Sequence, residues 1–308
     1  MKDRKIKVTD ARERKFYINC LHAKNIPVSE FKMSDKRDFS SVINDSLSRH
    51  FKDNFEPKEE TVKWMREQWN LVRLASKELS WINKKEERLC YFIWCIIRQL
   101  STQNAAKIYS LQVKVARSAD MNSPALLNDY NIYESLRLPT SLTSIDERYE
   151  TIIDFFDLWI LDVDRKRVVL KYIKEKWSQR YSSDDTFNWL DSGNEEQCKW
   201  AWKYLKAHEQ IDVDFIDPCM PSELYNAVVS AIDYWEPIAP EIKELFLMKM
   251  KKSLGQKKHR DKQTDRKNYN FVLSIHAKEK LDQLASHHNK KKNEMLEFMI
   301  NREFSKLE

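Results

Sequence analysis

The stretch NYNFVLS, residues 268–274, alternates polar and apolar side chains, which is the pattern of a β-strand. Asn268, Asn270 and Val272 would then share one face of that strand. An asparagine amide can form paired hydrogen bonds with the edge of an adenine, and an apolar side chain can contact the methyl group of a thymine. The chemistry predicted for this face is therefore the reading of base edges in duplex DNA.

Positive charge is concentrated around this strand. Residues 249–292 contain 14 Lys and Arg against four Asp and Glu, a net charge of +10, whereas the whole chain carries +6. A single lysine run is usually a solvated surface, but this concentration beside a strand is typical of a nucleic-acid-binding surface. The side chains predicted to hold phosphates are Lys257, Lys258, Arg260, Arg266, Lys267, Lys290, Lys291 and Lys292.

Two predicted helices follow the strand and must position it. The stretches AKEKLDQLASHH and KKKNEMLEFMINREF repeat apolar residues at helical spacing, and Asn289 between them suits a left-handed helix cap. Strand, helix, turn and helix make a ribbon-helix-helix unit, in which two chains form an antiparallel ribbon that enters the major groove. Backbone N–H groups at the start of the second helix would assist the phosphate contacts of residues 290–292.

The opposite face of the strand predicts a homodimer. No second strand of matching pattern lies nearby, so the backbone groups of this strand are expected to pair with the same strand of another chain. The predicted dimer core comprises Tyr269, Phe271, Leu273, Leu281, Leu284, Leu296 and Ile300. The alternative is a helical hairpin with an extended arm.

The rest of the chain is predicted to be helical, so the expected fold class is all-α with one short strand. Gly193 and Gly255 are the only glycines among 308 residues, which excludes the paired glycines of dinucleotide-binding and P-loop motifs. The longest apolar run, residues 89–97, is too short for a membrane span of about 20 residues. The N-terminus lacks the apolar core of a signal peptide. The expected location is the cytoplasm, at the nucleoid, with no membrane partner.

Five cysteines, odd in number and without a Cys-x-x-Cys spacing, predict reduced core thiols. Neither a metal nor another cofactor is expected. Among the predicted helices, one carries Val72 and Leu79 on the same face and pairs as a hairpin with the helix of the apolar run. Later helices are predicted to begin with Ser222 as N-cap and with Pro240 at the first position, the latter ending before Gly255.

The C-terminal part resembles a known family. The elements CKWAWKYLKAH, the proline-initiated helix through MKMKK, the linker KKHRDKQTDRKN and the stretch LDQLASHHNKKKNEMLEFMI follow the order and spacing of the MatP family, which organises the chromosome terminus in enteric bacteria. The resemblance covers about residues 185–304. It implies a helical bundle joined to a ribbon-helix-helix unit that binds a short palindromic DNA site as a dimer, with the bundle adding flanking contacts.

The resemblance also sets expectations for individual residues. The base-facing positions of the family fall on Asn268, Asn270 and Val272, whose residue types differ from the family's, so the DNA sequence is not implied. The family continues into a coiled coil that bridges two DNA-bound dimers, whereas this sequence stops eight residues after Ile300. Bridging by that route is not expected. The predicted domains are 1–180 of unassigned role, 181–255 as the MatP-like bundle, and 256–308 as linker and ribbon-helix-helix.

Two other functions compete with a DNA-binding organiser or repressor. The segment 1–180 could catalyse a reaction on DNA, with Asp162 and Asp164 as metal ligands, but no accompanying Glu-x-Lys or histidine cluster supports this, and acids at helix ends usually cap or are solvated. The same segment could instead recruit a protein partner to DNA. The charge and the strand pattern favour the interpretation that the protein is a non-enzymatic, site-specific DNA-binding protein.

Overall fold

Helices make up all the regular structure of the described part of the chain, apart from one isolated bridge between Ser101 and Asn131. The computed structural model describes residues 5–28, 39–52, 54–112, 129–180, 184–261 and 270–307. No β-strand occurs within these ranges. The predicted all-α class is confirmed.

The chain forms two compact units, Met1–Leu254 and Gly255–Glu308. The first unit contains α1 (Ala11–Ala23), α2 (Phe39–Phe51), α3 (Phe55–Val72), α4 (Ser76–Leu79), α5 (Glu87–Arg98), α6 (Thr102–Gln112), α7 (Ile132–Ser135), α8 (Ile145–Leu158), α9 (Val163–Arg180), α10 (Glu195–Lys206), α11 (Leu224–Tyr234) and most of α12 (Pro240–Asp261). The second unit contains α13 (Ile275–His287) and α14 (Lys292–Phe304).

Two hydrophobic clusters form the core of the first unit. The smaller cluster is built from buried residues between positions 6 and 72, which lie mainly on α1, α2 and α3. The larger extends from position 74 to position 254, so its members lie on both sides of residue 180. At its centre, α5 packs against α8 and α11, and its apolar run from Leu89 to Ile97 is almost entirely buried.

The predicted hairpin of α3 with α5 is wrong. The backbone is extended at Arg73 and Ala75, so α3 ends at Val72 and Leu79 lies on the separate helix α4. The apolar face of α3 packs against α1 and α2, whereas α5 belongs to the larger cluster. An amphipathic pattern identifies the buried face of a helix but not the helix that covers it.

A buried ion pair links α8 to the start of α11. Arg148 Nη2 donates to Glu223 Oε1 at 2.8 Å, and the Tyr91 hydroxyl donates to the same oxygen at 2.8 Å. The other carboxylate oxygen accepts the backbone N–H groups of Cys219 and Met220. This carboxylate is thus satisfied from both sides, as a charge inside a hydrophobic core must be.

The predicted N-cap at Ser222 is wrong as well. Pro221 begins a short 3₁₀ turn, Pro221–Glu223, that precedes α11, and Met220 occupies the cap position. Glu223 supplies the side chain that accepts the N–H of Met220. The side chain that caps this turn is therefore the carboxylate three positions after the cap residue, and not a serine hydroxyl.

Lys166 connects the two hydrophobic clusters. Its side chain is fully buried and donates hydrogen bonds to the carbonyl oxygens of Val72, at the end of α3, and Phe156, in the last turn of α8. Burial lowers the pKa of Lys166 to about 7, because desolvation disfavours the charged form. Close by, Arg12 binds Asp157 through two hydrogen bonds of 2.6 and 2.7 Å.

The cysteine prediction needs one correction. Cys20, Cys90, Cys95 and Cys198 are buried free thiols, as predicted, but Cys219 is exposed. Burial raises the pKa of Cys20 and of Cys90 to about 12. Cys219 lies outside the regular helices, two residues before the 3₁₀ turn that begins at Pro221.

The helix α12 begins at Pro240, as predicted, but continues six residues past Gly255 to Asp261. Gly255 does not adopt the left-handed conformation with which a glycine ends a helix. Residues 256–261 of the predicted linker are therefore helical, and Lys257, Lys258 and Arg260 lie in the last turns of α12.

Replacing Gly255 by alanine is expected to stabilise the protein. A Cβ atom at this position would have no heavy atom within 4 Å, so the added methyl group causes no clash. Glycine inside a helix costs about 0.5–1 kcal/mol relative to alanine. Circular dichroism melts should give a higher melting temperature for Gly255→Ala, and an unchanged or lower value would show that this turn is not helical in solution.

Candidate nucleic-acid interface

The second unit contains a helical hairpin whose turn follows the predicted pattern. Asn289 has a φ of 49°, the left-handed conformation, directly after α13. The N–H of Lys290 donates to the Ala285 carbonyl at 2.9 Å, and the N–H of Asn289 donates to the Ser286 carbonyl at 3.2 Å. This pair of hydrogen bonds is the Schellman motif, which reverses the chain so that α14 packs back on α13.

The core of this hairpin is small. Leu281, Ala285 and Met295 are buried, and Leu296 and Met299 pack partly against them. An ion pair of 2.7 Å between Lys292 and Asp282 adds a polar contact between the two helices. Three buried apolar side chains stabilise a two-helix unit weakly, because small units bury little of their surface on folding.

Several predicted dimer-core residues are exposed in the single chain. Leu281 is buried and Leu296 is half-buried, whereas Leu284 and Ile300 are exposed. Phe271 has 71 % and Leu273 47 % of its surface exposed, and Tyr269 lies outside the described residues. Within one chain, the hairpin therefore covers only part of the predicted core.

The predicted reading face lies on an exposed segment. Val272 is 103 % exposed and Asn270 is also exposed, while Asn268 lies outside the described residues. Residues 270–274 have no regular secondary structure in the single chain. The strand and its pairing with a second chain stay predictions.

The basic side chains around the hairpin differ in their contacts. Lys257 pairs with Asp261, Lys292 pairs with Asp282, and the ammonium of Lys290 lies 5.1 Å from the centre of the Phe298 ring. Arg266 and Lys267 lie outside the described residues. Among the residues that the structure describes, Lys258, Arg260 and Lys291 form no ion pair.

Lys291 occupies the position best suited to an anion. It is the N-cap residue of α14, and its own N–H donates to Glu294 at 3.2 Å. The positive end of the α14 dipole and the free N–H groups of the first turn lie at this end of the helix. A phosphate placed there would meet the side chain and the helix terminus together.

The candidate metal ligands of the first unit have structural contacts. Asp162 accepts the N–H of Arg165 at 3.0 Å near the start of α9, and Asp164 pairs with Arg167 at 2.8 Å. No group of three or more His, Cys, Asp or Glu able to hold a metal ion occurs among the described residues. His208 packs edge-on against Phe246 within the larger cluster.

Apart from Val272 on the predicted reading face, four exposed apolar side chains in the described part of the second unit were not part of the predicted dimer core: Ile275, Phe298, Phe304 and Leu307. Phe304 and Leu307 extend the helical apolar repeat of α14, and Ile275 directly continues the alternation of the strand, so the repeat could have indicated them. These side chains add to the exposed apolar residues of the predicted core, Phe271, Leu273, Leu284 and Ile300.

Comparison with known proteins identifies no relative. No protein-family model, curated protein or solved structure matches the chain. In the part of the chain that the structure describes, no helix combines the length and the hydropathy that crossing a bilayer requires.

Proposed function

We propose that the protein is a site-specific double-stranded DNA-binding protein that acts as a homodimer through a C-terminal ribbon-helix-helix unit. The observation that carries the proposal is the combination of a hairpin with three buried apolar side chains and a preceding segment in which Phe271 and Leu273, both on the predicted dimer face, are exposed. Apolar residues at such density on so small a unit require cover, and a second copy of the same segment would supply it.

Charge supports DNA as the ligand. Residues 249–292, a stretch of sequence that includes the proposed ribbon, carry a net charge of +10, and Lys258, Arg260 and Lys291 have no ion-pair partner among the described residues. A concentration of positive charge in one stretch of the chain attracts polyanions. The regularly spaced phosphates of duplex DNA match this charge, whereas a neutral partner would not.

The resemblance to the MatP family supports a role in organising a nucleoid or replicon, or in repression at a palindromic site. Genome-wide mapping of bound positions separates these roles. Sites clustered in one region of a chromosome would support organisation, whereas a single site at a promoter would support repression. The absence of any enriched site would contradict site-specific binding.

Two neighbouring substitutions test the proposed reading face. Asn270→Ala is expected to cost about 1–3 kcal/mol per half-site on the specific duplex, because the amide would lose its paired contact with a base. Binding to random duplex should change little, since phosphate contacts carry it. Fluorescence anisotropy titrations against both duplexes measure the difference.

Phe271→Ala is the matched comparison, one position along the chain. Truncating a phenylalanine that becomes buried typically costs about 3–5 kcal/mol, so this variant should lose dimer stability and not sequence preference. Sedimentation equilibrium and thermal melts report that loss. If Asn270→Ala dissociates the dimer and Phe271→Ala only alters sequence preference, the two faces of the ribbon are reversed.

A further inference from the structure

The helix α12 has an apolar stripe on the side that faces away from the core. Phe246, Met250 and Leu254 form its buried face. Ile242, Leu245 and Met248 are exposed. At 100° per residue, Ile242 and Met248 lie about 60° to either side of Leu245 around the helix axis, and Leu245 lies on the side of the helix away from the core. Three large apolar side chains in a row on an exposed helix face are typical of a contact surface.

Charged residues flank this stripe in a definite order. Glu241 lies at its N-terminal end, and Lys249 and Lys252 lie at its C-terminal end on the same face. None of these three forms an ion pair with another described residue. The outer face of α12 therefore has an acidic end, an apolar centre and a basic end.

The acidic end of this face would meet the basic end of the same face on a second copy if the two helices packed antiparallel. We propose that the outer face of α12 packs antiparallel against the same face of a second copy, around a two-fold axis at Leu245. In that register Glu241 lies opposite the partner's Lys249, and Ile242 lies opposite the partner's Met248. A parallel arrangement would place glutamate against glutamate and lysine against lysine, which is unfavourable.

The contact is short and confined to the first unit. Residues 240–250 of both copies overlap in this register, a length of about 16 Å at 1.5 Å per residue. The pairing uses none of the residues proposed to contact DNA, so it does not depend on the proposed function. A chain that also pairs through its C-terminal ribbon would have two separate self-association surfaces.

Charge reversal tests the register. Glu241→Lys and Lys249→Glu should each weaken self-association about tenfold, because repulsion replaces attraction at both symmetric contacts. The double variant Glu241→Lys/Lys249→Glu should regain the original association, since each reversed charge then meets a reversed partner. Lys251→Glu makes the same charge change on another side of α12 and should have no effect. Sedimentation equilibrium of the full chain at low salt measures all four.

A second pair of variants separates this surface from the proposed ribbon. Leu245→Glu and Phe271→Ser should each weaken the self-association of the full chain without abolishing it, and the two together should give monomers. If Leu245→Glu alone gives monomers, the ribbon pairing fails while the α12 contact stands. Unchanged association in Leu245→Glu, or a failure of the double charge reversal to restore it, overturns the α12 contact. A lower melting temperature at unchanged mass would mean that the chain covers this face itself, which also overturns it.

Discussion

The affinity of the protein for duplex DNA is expected to fall about 10³–10⁵-fold between 50 and 200 mM salt, with the logarithm of the binding constant linear in the logarithm of salt concentration. This range follows if the dimer contacts about six to ten phosphates, each of which releases condensed counterions. Lys291, Lys258 and Arg260 are the described candidates without an ion pair of their own. Anisotropy titrations at several salt concentrations measure the slope.

Lys291→Glu should weaken binding to specific and random duplexes alike and make the salt slope shallower. The reason is that a phosphate contact carries charge but no sequence information. Lys63→Glu on α3 makes the same charge change at an exposed position of the first unit and serves as the control. Binding that is insensitive to salt, or a Lys291→Glu effect restricted to one sequence, would argue against phosphate contacts at the start of α14.

Arg148→Met is expected to lower the free energy of unfolding by about 3–5 kcal/mol, which is typical when one member of a buried ion pair is removed. The side chains of Arg148 and Glu223 are only 3 % and 7 % exposed, so the Glu223 carboxylate would stay in the core without its counter-charge. Urea denaturation monitored by tryptophan fluorescence measures the loss. The Tyr91 hydroxyl and two backbone N–H groups would be its remaining donors.

Two comparisons make that measurement specific. Arg148→Met/Glu223→Gln removes both charges and should be more stable than Arg148→Met alone, because no uncompensated charge remains. Arg167→Met removes the exposed partner of Glu78, and surface pairs of this kind contribute about 0–1 kcal/mol. Equal losses for Arg148→Met and Arg167→Met would contradict the buried character of the Arg148 pair.

The sequence indicates elements whose signals are local. The start of α12 at Pro240 and the turn at Asn289 were predicted because each depends on the backbone preference of a single residue. The end of α12 was missed because a glycine permits a left-handed ending without requiring one. Whether Gly255 ends the helix depends on the structure that follows it, which no local pattern contains.

Contacts between residues far apart in the chain could not be predicted from the sequence. Arg148 and Glu223 are 75 positions apart, and Lys166 meets a carbonyl 94 positions away, so neither pairing leaves a periodic signal. The same limit applies to the candidate site. The strand alternation places Phe271 and Val272 on opposite faces. The spacing of residues does not show which partner would bury Phe271 and leave Val272 exposed.

Because the core of the α13–α14 hairpin is small, the folding of this unit should depend on the concentration of whatever binds it. A unit held by Leu281, Ala285 and Met295 gains stability from whatever binds its folded form, by an amount that rises with the logarithm of the binder's concentration. If that binder is another copy of the chain, folding of the unit becomes second order in protein. The occupied fraction of DNA sites would then rise more steeply than the copy number, so modest changes in expression or proteolysis would switch binding on or off.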